Sequence, residues 1–125
     1  MLEKLKNIEA LVFVGGFAFY KQGLKNNYND VDVVVNDKNF MDGLEWFESN
    51  SFYSESGIKS FFILGDFKLD IFYQKDLPDF EIIDGFRCQT IESAKKHYDE
   101  MYKKAADIWK PVIENKAKIL LWIKI

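Results

Sequence analysis

Apolar and polar positions alternate with two different periods along this chain, and the change of period divides it into elements. "ALVFV" (10–14) is apolar throughout and predicts a short buried strand, ended by Gly15-Gly16. "FAFYKQGL" (17–24) then predicts a helix with Gly23 near its end. Residues 30–35 predict a second strand: Val31, Val33 and Val35 fall on one face, Asp30, Asp32 and Val34 on the other. Asn36 is a good cap for a helix over 37–49, where Phe40, Leu44 and Phe47 recur at helical spacing. Runs 58–64 and 67–73 flank Gly65-Asp66 and predict a hairpin, and 81–89 predicts one more strand with a possible interruption at Gly85. Residues 2–8 have the makings of a short helix at the start.

From Thr90 onward the period becomes helical. Ile91, Ala94, Tyr98, Met101, Ala105 and Ile108 step by three and four, with Thr90 as N-cap. Pro111 ends this helix or opens another over 111–123, whose Ile113, Ala117, Leu120 and Leu121 are candidates for the core. The order is helix, strand, helix, strand, helix, hairpin, strand, helix, helix. It predicts an α/β (α+β) fold, a small mixed sheet with helices packed on it, as one domain over 1–125.

Composition narrows the function classes. A net charge of -3 disfavours a protein that coats duplex nucleic acid, although 17 Lys and Arg leave room for a local basic patch. The single cysteine, Cys88, excludes an intrachain disulfide and reads as strand filler rather than a catalytic thiol. The single histidine, His97, cannot build a multi-histidine zinc site and reads as a helix-surface residue. No apolar run approaches the ~18 residues of a membrane span, and "MLEKLKNIEA" mixes charges through what would be a signal peptide. A soluble cytoplasmic protein is the expectation.

The candidate chemistry lies in carboxylates set inside apolar strands. Asp30 and Asp32 project from one strand face with Cα atoms roughly 6–7 Å apart. Like charges that close resist joint ionisation unless a cation sits between them. Oxygen ligands of this kind suit Mg2+ or Mn2+. Asp70 is a third acid in an apolar strand, "FKLDIFY", sharing its face with Lys68 and Phe72. If that strand lies beside 30–35, three carboxylates can meet at one site, the requirement of two-metal phosphoryl chemistry. Gly15-Gly16, between a strand and a helix, lets backbone approach a phosphate.

"VGG" at 14–16, "NDVDVVV" at 29–35 and "KLDIF" at 68–72 together resemble the polymerase-beta-like nucleotidyltransferase superfamily. Its pattern is an apolar residue and Gly-Gly or Gly-Ser, then Asp-x-Asp or Asp-x-Glu on a strand, then a third acid on a later strand. The resemblance covers residues 10–73 and is closest in style to small bacterial and phage members. These include partners in toxin–antitoxin and abortive-infection systems and aminoglycoside-modifying transferases. It implies a Mg2+-dependent (or Mn2+-dependent) enzyme that moves a nucleoside monophosphate from an NTP such as ATP to an RNA, protein or small-molecule hydroxyl. Asp30, Asp32 and Asp70 would hold the metals, with Asp70 also a base for the acceptor. Gly15 and Gly16 would approach the triphosphate. Many toxin-like members grip the nucleotide with cations on a late helix; Lys103, Lys104 and Asp107 are a loose echo, with Lys104 the candidate nucleotide-binding residue. Phe17 departs from the small residue expected after the glycines.

Two other readings stand beside this one. The same fold can serve as a binding module for a nucleotide or a partner protein without turnover. Alternatively the acids are incidental, and Trp46, Trp109 and Trp122 form either an interaction patch or, more simply, core packing.

Overall fold

A computed structural model describes residues 2–37, 52–55, 59–64 and 67–121. The chain divides into two compact units, 1–89 and 90–125. The helix expected over 37–49, with Phe40, Leu44 and Phe47, lies outside the described residues, as do Trp46 and Trp122.

Among the described residues, the first unit is built on a seven-stranded mixed sheet. In chain order the strands are β1 (Leu11–Val14), β2 (Val31–Val35), β3 (Phe52–Glu55), β4 (Lys59–Leu64), β5 (Phe67–Tyr73), β6 (Phe80–Ile83) and β7 (Phe86–Gln89). In space the order is β3-β4-β5-β2-β1-β7-β6. β2 runs parallel to β5 and β1 parallel to β7; the other neighbours are antiparallel. A parallel pair needs a long connection, so the β2–β5 pairing joins residues that are distant in sequence.

Helix α1 (Gly15–Lys21) leaves β1 with no intervening loop. Its Phe17 and Ala18 pack on one sheet face with Phe13, Val31, Val33, Val35, Leu69, Ile71, Phe86 and Cys88, all buried. Period-two alternation explains the set: within β1, β2, β5 and β7 these residues are two apart and so share one face. Phe13, Phe17 and Phe86 meet with centroids 4.8–5.3 Å apart, in tilted or edge-to-face arrangements. Burial also pushes the Cys88 thiol up to about 11, which leaves it a small core residue without nucleophilic character.

The 3-10 lead-in and the sheet differ from the sequence expectation in three places. Residues 2–8 form only a 3-10 turn at Leu2–Leu5, whose Leu5 enters the core. The run 81–89 is two strands rather than one. Asp84 (φ 53) and Gly85 (φ 86) both take left-handed backbone, the requirement of a tight two-residue hairpin turn, and β6 folds back on β7 through Ile83 and Phe86. β3 adds a strand before the expected hairpin.

The second unit holds α2 (Ile91–Lys104) and α3 (Lys110–Leu121). Thr90 caps α2: its Oγ1 accepts from the Ser93 N–H at 3.2 Å. Pro111 lies in the first turn of α3, where its missing N–H costs nothing. Tyr102 donates to Glu114 at 2.9 Å and ties the two helices together. His97 is exposed on α2, and Trp109, between the helices, is 60% exposed.

Candidate active site

The face of β2 and β5 opposite the aromatic core carries the acids. In the parallel ladder Asp32 is the direct partner of Asp70, just as Val31 partners Leu69 and Val33 partners Ile71. Neighbouring strands lie about 4.8 Å apart, so the two carboxylates stand side by side from adjacent backbones. Asp70 is only 5% exposed. Its Oδ1 is buried and has no hydrogen-bond partner among the described residues, while its Oδ2 has the Lys68 ammonium at 3.5 Å. Buried carboxylate oxygens are normally satisfied. An unpartnered one, beside Asp32 in the ladder, retains its capacity to accept from a ligand or a water.

Asp32 carries the electrostatic consequence. Partial burial, first, and then contact with Asp70 and the charges of Asp70 and Asp30 push its carboxyl from 3.8 up to about 6, with Lys68 opposing them. Two carboxylates crowded this way favour either a shared proton or a cation.

The glycine turn reaches the same point. Val14, the last residue of β1, partners Asp32 across the sheet. The next residue, Gly15, has φ +63, and a Cβ added to it would lie 3.0 Å from Asp32 Oδ2. Only glycine offers both that backbone conformation and that clearance. Over Gly16, the Lys25 ammonium would sit 3.4 Å from an added Cβ. Gln22 braces the end of α1: its amide donates to Ala18 O at 3.0 Å and to Gln89 O at 2.9 Å, tying the helix to the end of β7.

Asp32, Asp70 and Gly15 are therefore brought together. Asp30 is exposed, one residue before β2, and its charge bears on Asp32. Among the described residues no group of three His, Cys, Asp or Glu side chains is arranged to hold a metal ion. Lys104 lies in the last turn of α2, exposed, in the second unit. Three contributors carried no expected role in the sequence reading. Alternation already put Lys68 on the face of Asp70, so it was open to discovery. Lys25 and Gln22 follow α1, and no local pattern marks them.

The donor set fits a divalent cation of the Mg2+ type. Such an ion is usually held by one or two carboxylates, with waters and substrate phosphates completing its shell. Asp32 and Asp70, with the orphaned Asp70 oxygen, supply that minimum.

No family model matches this chain, and no curated protein matches it by sequence. Solved structures do match it in fold. A Megavirus polyadenylate synthase superposes with TM-score 0.66 at 12% identity, covering 97% of this chain and 30% of that one. The antibiotic-resistance factor ANT(2'')-Ia superposes with TM-score 0.62 at 14% identity, covering 98% of this chain and 77% of that one. JHP933 from Helicobacter pylori gives TM-score 0.51 at 19% identity, over 78% of this chain and 50% of that one. The first two are nucleotidyltransferase-fold proteins, and this chain has a nucleotidyltransferase-like α/β fold. It spans less than a third of the polyadenylate synthase. Among the described residues, no helix is long and apolar enough to cross a membrane.

Proposed function

We propose that this chain is a metal-dependent nucleotidyltransferase, which moves a nucleoside monophosphate from an NTP to a hydroxyl of an RNA, a protein or a small molecule. The observation that carries the reading is the Asp32–Asp70 pair, in register on parallel strands, with one buried oxygen lacking a hydrogen-bond partner among the described residues and Gly15 packed against Asp32. The nucleotidyltransferase-like fold supports it.

Asp32 and Asp70 would hold Mg2+ or Mn2+, with Asp30 available from the exposed approach to β2. The ion supplies charge neutralisation for the triphosphate and lowers the pKa of the acceptor hydroxyl. Asp70 takes the proton of that hydroxyl. The hydroxyl oxygen attacks the α-phosphorus, the bond from that phosphorus to the bridging oxygen breaks, and pyrophosphate leaves with the bonding electrons. Gly15 and Gly16 keep the turn free of side chains where phosphates approach, and the Lys25 ammonium beside Gly16 adds positive charge there. Lys104 enters as a nucleotide-gripping cation on the strength of the sequence resemblance alone.

The test is incubation with each α-phosphate-labelled NTP, Mg2+ or Mn2+, and pools of RNA, protein and small-molecule acceptors. Label should move to one acceptor class, and Asp70→Asn should abolish the transfer. No labelled product with any NTP and either metal would overturn the proposal.

A second reading is a nucleotide- or protein-binding module without turnover. The exposed position of Asp30, which leaves two acids rather than three in close company, favours it. Calorimetric binding of nucleotide that survives Asp70→Asn, with no transfer by the wild-type chain, would select it.

A further inference from the structure

We propose that Lys68 is a built-in counter-ion for the acid pair: its ammonium neutralises Asp70 in the metal-free chain and gives way when a divalent cation binds. The inference rests on the metal-dependent reading above and concerns how this chain keeps a cation site intact before the cation arrives.

Three observations meet here. First, Lys68 and Asp70 are two apart on β5, so alternation puts both side chains on the site face. Second, the contact is loose: Lys68 Nζ stands 3.5 Å from Asp70 Oδ2, longer than a good charge-assisted hydrogen bond. The side chains differ in exposure: that of Lys68 is 37% exposed and that of Asp70 only 8%. Asp70 is thus buried, and its cation reaches it from the partly exposed end of a four-carbon stem. Third, the other Asp70 oxygen has no hydrogen-bond partner among the described residues. The ammonium satisfies part of the site and leaves part of it open.

The physical need is plain. Two carboxylates from adjacent strands repel each other, and burying them without a cation is costly. A permanent, tight partner such as a bidentate Arg would remove the repulsion and also block a metal. A half-exposed lysine at 3.5 Å reduces the repulsion while remaining displaceable. Lys68 is a positioning residue in this sense. It sets how tightly the acids attract a metal, and it competes with that metal for Asp70.

The experiment uses the full chain and Mn2+ alone, without nucleotide. Free Mn2+ is followed by its paramagnetic resonance signal in titrations of wild type, Lys68→Met and Lys68→Arg. Thermal unfolding of each is recorded in EDTA. Lys68→Met should bind Mn2+ about three- to fivefold more tightly, the scale of a partly exposed ion pair, and its metal-free form should melt at a lower temperature. Lys68→Arg should recover the metal-free stability and bind Mn2+ less well than Lys68→Met. Should Lys68→Met fail to fold without metal, Lys68→Gln makes the same comparison. A lower melting temperature with Mn2+ affinity unchanged or weakened would reduce Lys68 to a structural or phosphate-binding role and overturn this inference alone. No Mn2+ binding by the wild type at millimolar metal would overturn it together with the metal-dependent reading.

Discussion

The two faces of the β2–β5 pair are made of the same strands and obey opposite rules. On one face Val31, Val33, Val35, Leu69 and Ile71 lock against Phe13 and Phe17, with no polar group among them. On the other, one residue along, Asp32 and Asp70 crowd like charges together, a buried oxygen goes unpartnered, and a lysine leans in loosely. One face gains free energy by leaving water. The other gives some up to hold an unsatisfied arrangement, a cost that a ligand can recover. Core packing and the proposed chemistry are separated by a single step of the pleat, so substitutions on the two faces should have opposite signatures.

The largest expected effect is on the acid face. Asp70→Asn should lower nucleotide transfer by about a thousandfold or more, equivalent to roughly 4 kcal/mol of barrier, while the chain stays folded. Parallel activity assays and circular dichroism melts check this; retained transfer would remove Asp70 from the chemistry. The core face should answer in reverse. Phe13→Ala empties a fully buried ring site and should destabilise by about 3–5 kcal/mol, read as a lower denaturant midpoint. A small shift there would mean that the aromatic cluster does not hold the sheet.

The glycine turn joins the two faces and offers a finer test. Gly15→Ala forces a side chain onto left-handed backbone and into Asp32 Oδ2, 3.0 Å away. Gly23→Ala imposes the same backbone strain with open space around it. Each should lose about 1–2 kcal/mol of stability, but only Gly15→Ala should also impair transfer. Equal activity of the two variants would detach the turn from the site.

A smaller effect is set by pH. In the metal-free chain the Asp32 carboxyl titrates at about 6, above its ordinary 3.8. Between those values the folded state holds a proton that the unfolded state has lost, so stability from this group is full at the acid end and declines as pH rises through about 6. Melts in EDTA should show wild type losing more stability than Asp32→Asn between about pH 4 and about pH 7, a range that spans both titrations. Identical slopes would refute the crowding. The smallest effect belongs to Lys21–Asp84, a 3.0 Å pair whose aspartate is largely exposed: Asp84→Ser should shift stability by no more than about 1 kcal/mol through the pair.

Local pattern determined a good deal about this protein. Period-two alternation marked β2 and β5 and assigned their acids to the polar face, and Thr90 announced α2. The same local rules contained the β6–β7 turn, since Asp84-Gly85 is a strong hairpin signal, which a reading of 81–89 as one strand interrupted at Gly85 used only in part. What only the tertiary structure decided is non-local. Asp32 meets Asp70 because β2 and β5 pair in parallel across a long connection, and no spacing within either strand encodes a partner. Gly15 touches Asp32 because β1 lies antiparallel to β2 in one register, and a slip of one residue would turn that carboxylate to the other face. Alternation assigns a side chain to a face through the geometry of its own backbone. Only the pairing of strands sets which side chains share a point in space, because that depends on the packing of the whole sheet.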